Sequence, residues 1–277
     1  MGRGTASADI PSTQLRIRSH AEGWPERSLR RVPDLEEADR LAAAVRHAVW
    51  GLDERQPLPQ DLTPLVRAGR FILKQRDLAA ASGGPEALIT PLPDGRMRIC
   101  VDSEPKGSWG DTDPELKRAI ARQRTRFRVG HEVAHSFFYD RREGRSRRRH
   151  PANQAEEVFC DRFASSLLVP RGAVAALSPK ADSILCIHEH FDVSVEVAAR
   201  AFADTFSEFD VALAFEAEDG EGLLGQWATD PFSDDPAAAI AAAAAGGDQL
   251  WESVDLARLP RPRRQLVAVG SAFPQRP

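Results

Sequence analysis

The chain has 277 residues, 42% of them hydrophobic, which is enough for one or two domains with a substantial core. No run of about 18 apolar residues occurs, the opening MGRGTASADIPSTQ has no apolar stretch, and the cysteines (Cys100, Cys160 and Cys186) are odd in number and widely spaced; we therefore expect no membrane span, no secretory leader and no disulfide framework, which fits a cytoplasmic protein. The formal net charge of −4 argues against general affinity for nucleic acid.

Residues 1–33 are polar and aperiodic, and the expectation is that they are mostly disordered. DLEEADRLAAAVRHAVWGL (34–52) predicts an amphipathic helix, with Leu41, Val45 and Val49 at helical spacing. DLTPLVRAG (61–69) predicts a short helix with Asp61 as N-cap and Gly69 as stop. RFILKQ follows as a strand. EALITPL and RMRICVD flank Pro93-Asp94-Gly95 and predict a hairpin. In its second strand Met97, Ile99 and Val101 alternate with Arg98, Cys100 and Asp102, so one face is apolar and the other polar.

After a GSWGDTD loop, PELKRAIARQ and RFRVGHEVAHSFFYD each read as helix, and then comes the loop RREGRSRRR. Between 119 and 150 ten arginines face three carboxylates, a local excess of +7 within an acidic chain. NQAEEVFCDRFASSLLVP (153–170) is a second strong helix. ADSILCIHEHFDVSVEVAARAFADTF (181–206) has a helix-turn-helix outline, turning at Phe191-Asp192-Val193; its single arginine, Arg200, makes it a packing module rather than a DNA reader. DVALAFEAEDGEGLLGQW predicts two strands, an alanine stretch occupies 237–245, and PRRQLVAVGSAF predicts a last strand. The expected organisation is a first domain over 34–178, the helix-turn-helix-like segment over 179–208 and a small α/β module over 209–277.

HEVAH carries the chemistry. His131 and His135 are four apart and share one helix face, so two imidazole nitrogens can meet one ion. Glu132 lies about 100° round the helix, where it can take a proton from an attacking water without occupying the metal. A third ligand is available in Glu157, 22 residues beyond His135 on the next helix. Asp161 follows one turn later, placed to accept the other ring N–H of a ligand histidine and fix its tautomer. A core helix with two incidental histidines would leave Glu157 and Asp161 unexplained on an otherwise apolar helix. Cys160 and Cys186 read as core residues.

RFRVGHEVAH followed by EVFCDRFASSLLVP resembles the ImmA/IrrE metallopeptidases, on Arg126, Phe127, His131, Glu132, His135, Glu157, Phe163, Ala164, Leu167, Leu168 and Pro170. Arg128, Cys160 and Asp161 stand where Thr, Ala and Asn are common in that family, and none of these departures removes a ligand. The resemblance covers about residues 35–208. It implies an α+β, helix-rich, zincin-like metallopeptidase domain with a small three-stranded sheet, a Zn2+ cofactor, and a regulatory role: cleavage of a helix-turn-helix repressor in a stress, DNA-damage or phage-defence response.

Two features suggest control. Cys100, on the polar face of the strand before the zinc helix, could fill zinc's fourth position and exclude water. Arg141, Arg142, Arg145, Arg147, Arg148 and Arg149, with Trp109 as a stacking face, could bind single-stranded DNA as an activating signal. Two alternatives stand beside the peptidase: a non-catalytic zinc-containing regulator that sequesters a repressor, and a DNA-binding transcription factor using residues 182–206.

Overall fold

The computed structural model describes residues 24–25, 29, 31–76, 78, 86–102, 114–140, 147–148, 151–216, 223–228, 251–258 and 265–272. Asp34 starts helix α1, Leu35–Trp50, by accepting the Glu37 N–H at 2.9 Å, and Gly51 ends it in the left-handed region at φ 66°. The apolar face read from the sequence is buried, through Ala38, Leu41, Ala42 and Val45. Helix α2, Thr63–Ala68, has Leu62 at the cap position; Asp61 sits one residue earlier and accepts the Thr63 N–H at 2.8 Å.

Strands β1 (Phe71–Arg76), β2 (Ala87–Pro91) and β3 (Met97–Asp102) form one sheet in the order β1-β3-β2. The predicted hairpin is β2 and β3, antiparallel, with Gly95 at φ 78° in the connecting turn. β1 is parallel to β3, so β3 is the central strand and β2 is an edge.

The two helices expected over 114–123 and 126–140 are one, and it ends short of the expected bound, with Tyr139 and Asp140 in a strand. Helix α3, Pro114–His135, runs unbroken for 22 residues and closes in a single 3₁₀ turn, Ser136–Phe138. Strands β4 (Tyr139–Asp140) and β5 (Arg147–Arg148) then pair antiparallel and bracket the arginine-rich loop. Helix α4, Gln154–Leu168, is capped by Asn153, whose side chain accepts the Glu156 N–H at 3.0 Å. α3 and α4 lie close together at Gly130: a Cβ there would stand 3.4 Å from Ala164 Cα, Ala164 Cβ and Leu167 Cδ2. α1 is fastened to α4 by Arg162, which holds Asp39 at 2.8 and 2.9 Å, and by the buried Arg46, which donates to the Leu167 carbonyl at 2.7 Å.

After the short α5, Arg171–Val174, helices α6 (Ala181–Phe191) and α7 (Val195–Thr205) form the helix-turn-helix outline. Its turn is tied to α3. Asp192, at φ 50°, accepts Arg122 Nε and Nη2, both at 2.9 Å, and Gln123 Nε2 at 3.2 Å. Arg126 Nη1 donates to the Asp192 carbonyl at 2.8 Å and reaches its carboxylate at 3.2 Å. Strands β6 (Phe209–Glu216), β7 (Leu223–Ala228), β8 (Trp251–Arg258) and β9 (Gln265–Ala272) make an antiparallel sheet in the order β7-β6-β9-β8. β8 was not expected, the alanine stretch lies outside the described residues, and the described part of the expected α/β module is all strand.

One hydrophobic cluster takes in α1, the first sheet, α3, α4, α6, α7 and the start of β6. Trp24 also belongs to it, 6.1 Å from the Phe71 ring and 6.3 Å from Phe137, and the Leu29 N–H donates to the Phe137 carbonyl at 2.7 Å. These two positions are held because a large aromatic face finds an apolar groove; most of 1–33 lies outside the described residues. Cys186, expected in the core, is exposed on α6. No described helix is long and apolar enough to cross a membrane.

Candidate metal centre

The α3–α4 crossing brings the sequence-predicted residues together. His131 Nε2 and His135 Nε2 stand 3.1 Å apart. The Glu157 carboxylate spans the pair, one oxygen 3.2 Å from His131 Nε2 and the other 3.5 Å from His135 Nε2. Behind the rings, His131 Nδ1 donates to Asp161 at 2.8 Å and His135 Nδ1 donates to Glu156 at 2.6 Å. With both Nδ1 protons committed to carboxylates, the two Nε2 lone pairs point at each other. Such an arrangement is repulsive unless a cation or a proton sits between them. Two imidazole nitrogens and one carboxylate are the donor set that suits a divalent ion of zinc's type, so the residues fit that cofactor.

The electrostatics agree. Burial works against a charged His131, but Asp161, Glu132 and Glu157 outweigh it and hold its pKa above the ordinary histidine range in the metal-free chain. Burial raises Glu132, the two histidines oppose it, and the net shift is upward. A carboxylate with a raised pKa is suited to accepting a proton near neutral pH. Glu132 is nearly buried and also accepts the backbone N–H of Ile89, which places it beside the edge strand β2.

Cys160, not Cys100, is the thiol near the histidines: its Sγ and one ring nitrogen of each all lie within 4.8 Å of one another. Glu157 is nonetheless the better third donor. Its two oxygens lie 3.2 and 3.5 Å from the two Nε2 atoms, whereas burial and four surrounding carboxylates raise the Cys160 thiol in the metal-free chain and make it the harder donor to deprotonate. Cys100 is buried on the central strand, outside the cluster that contains Met97, Ile99 and Val101, and so on the face turned from α3. The structure therefore does not bring Cys100 to the fourth position expected for it: it lies on the central strand, and the edge beside the histidines is β2.

Among the described residues, four of these arginines hold acidic partners. Arg122 and Arg126 hold Asp192, and Arg128 pairs with Glu86. Arg148 points inward, onto Glu156 and, at 3.3 Å, the Tyr139 hydroxyl. Arg141, Arg142, Arg145, Arg149 and Trp109 lie outside the described residues, and Arg147 is described by its backbone alone. Sequence reasoning missed Glu156. It is the residue before Glu157 and a full turn before Cys160, and two ligand histidines call for two carboxylates behind them where only Asp161 was assigned.

A helix carrying HExxH, packed against a second helix that supplies a glutamate and two supporting carboxylates, defines a metallopeptidase-like domain. Residues 116–202 match the peptidase M78 family model, described as the IrrE N-terminal-like domain, so this segment is similar to that domain. The match includes every residue of the centre and runs on through α6 and most of α7. A solved structure of a Mycobacterium tuberculosis transcriptional regulator aligns at 13% identity over 87% of this chain and 71% of that one, with a TM-score of 0.33. No curated protein matches the chain.

Proposed function

We propose that the chain is a zinc-dependent regulatory endopeptidase whose substrate is a helix-turn-helix transcriptional repressor. The observation that carries this is the pair of histidine Nε2 atoms 3.1 Å apart under the Glu157 carboxylate, each ring braced from behind by its own carboxylate. His131, His135 and Glu157 hold the ion. Zinc held there would supply Lewis-acid chemistry, polarising the scissile carbonyl and lowering the pKa of water. Glu132 takes the proton of the attacking water and returns it to the leaving amine. Edge strand β2, with Leu88 exposed, offers an extended substrate segment a strand to pair with beside Glu132.

The transcription-factor alternative is disfavoured, because the turn between α6 and α7 is bonded to α3 through Asp192. A non-catalytic sequestering regulator would have no use for Glu132. The test is incubation with helix-turn-helix proteins encoded beside this chain, with and without single-stranded DNA. The parent cleaves one of them, and Glu132→Gln binds zinc equally but is slower by about 10²–10⁴-fold. Equal cleavage by Glu132→Gln refutes the assignment of the base; no cleavage of any such protein refutes the substrate class. The single-stranded DNA arm reads the trigger, with stimulation expected if the arginine loop senses it.

A further inference from the structure

The two carboxylates behind the histidines are unlike. Asp161 is solvated, its side chain 52% exposed, and needs no counter-charge. Glu156 is fully buried, and a buried carboxylate stays ionised only when it is paired. Its cationic partner is Arg148, which bonds the same Oε1 that accepts His135 Nδ1. Tyr139 holds Arg148 in place across the β4–β5 pair. The guanidinium lies 5.4 Å over the Tyr139 ring and donates to the Tyr139 hydroxyl.

Resting on the zinc reading above, we propose that Arg148 is a positioning residue for the metal centre. Through Glu156 it fixes the His135 ring with Nε2 toward the ion, and it thereby couples the base of the arginine-rich loop to zinc affinity. Arg148 acts through another side chain and touches neither ion nor substrate.

The experiment is zinc affinity of the full chain, measured by competition with a chromophoric chelator. Arg148→Ala weakens zinc by about 10–100-fold, the usual effect of removing an outer partner of a ligand histidine. Arg148→Lys keeps the charge and recovers part of that loss. Arg148→Gln is run beside the alanine variant so that the test survives if the smaller side chain does not fold. In a Glu156→Gln background, where no buried charge needs pairing, Arg148→Ala adds little. Parent-like zinc affinity in both Arg148→Ala and Arg148→Gln overturns the proposal while leaving the zinc reading intact. A full additive loss in the Glu156→Gln background also overturns it, since it would mark a merely structural role. A parent chain that binds no zinc removes both.

Discussion

Asp192→Asn isolates what ties the helix-turn-helix-like segment to the metal-site helix. The aspartate is half-screened, with a side chain 25% exposed, and three donors converge on it. Arg126 is 3% exposed and Arg122 37%. Asparagine keeps the left-handed turn at φ 50° without new strain but presents an NH2 group to a guanidinium and removes the charge. Removing one partner of a buried pair costs about 3–5 kcal/mol. Arg126 retains the carbonyls of Asp192 and Phe191, and Arg122 is partly solvated, so about 2 kcal/mol is the reasonable figure here. That corresponds to a fall in Tm of roughly 4–8 °C for a chain of this size. Burial opposes ionisation of Asp192, but its hydrogen bonds to Arg122 and Gln123 prevail and the pKa is depressed. The stabilisation is therefore present above the unfolded aspartate value, about 3.9, and is lost as pH falls through the lower folded value. Thermal melts followed by circular dichroism at neutral pH, and again in steps into the acid range, give the result. The gap between parent and variant is full at pH 7 and shrinks only below the ordinary aspartate range. Equal melting at pH 7 would refute the latch.

Two further substitutions probe the centre itself. Asp161→Asn replaces a charge-assisted hydrogen bond with a neutral one at a half-exposed site, and zinc affinity measured by chelator competition should fall by about three- to tenfold, the low end for such partners. Gly130→Val forces α3 and α4 apart where a Cβ alone already reaches 3.4 Å from Ala164; chemical denaturation should show a loss of about 1–3 kcal/mol, accompanied by weaker zinc binding, because the histidines and Glu157 ride on opposite helices.

The centre was legible because helical periodicity converts spacing into geometry. His131 and His135 are one turn apart, as are Glu157 and Asp161, and both helices have strong apolar faces. What spacing alone could not give was how the two helices rotate about their crossing. That rotation turns Glu156 to His135 and brings Cys160 near the two rings, with the helices in contact at Gly130. The hairpin was readable from Pro93-Asp94-Gly95, yet the position of β3 between two partners depends on β1 returning in parallel, a nonlocal pairing with no local signature. The same holds for Trp24, an isolated aromatic in a polar segment whose burial depends on a distant groove. Arg148 was grouped with its neighbours as a candidate nucleic-acid contact because the sequence shows only a run of charge; its inward direction follows from the buried Glu156.

Metal content tests the central claim most directly. Purified full chain, with exposed tags removed, is assayed by elemental analysis beside His131→Ala, Glu157→Ala, Glu132→Gln and Cys160→Ala. The account predicts a single zinc ion per parent chain, retained by Glu132→Gln and Cys160→Ala and lost from His131→Ala and Glu157→Ala. A parent chain free of zinc, or zinc that survives Glu157→Ala but leaves with Cys160→Ala, would contradict it.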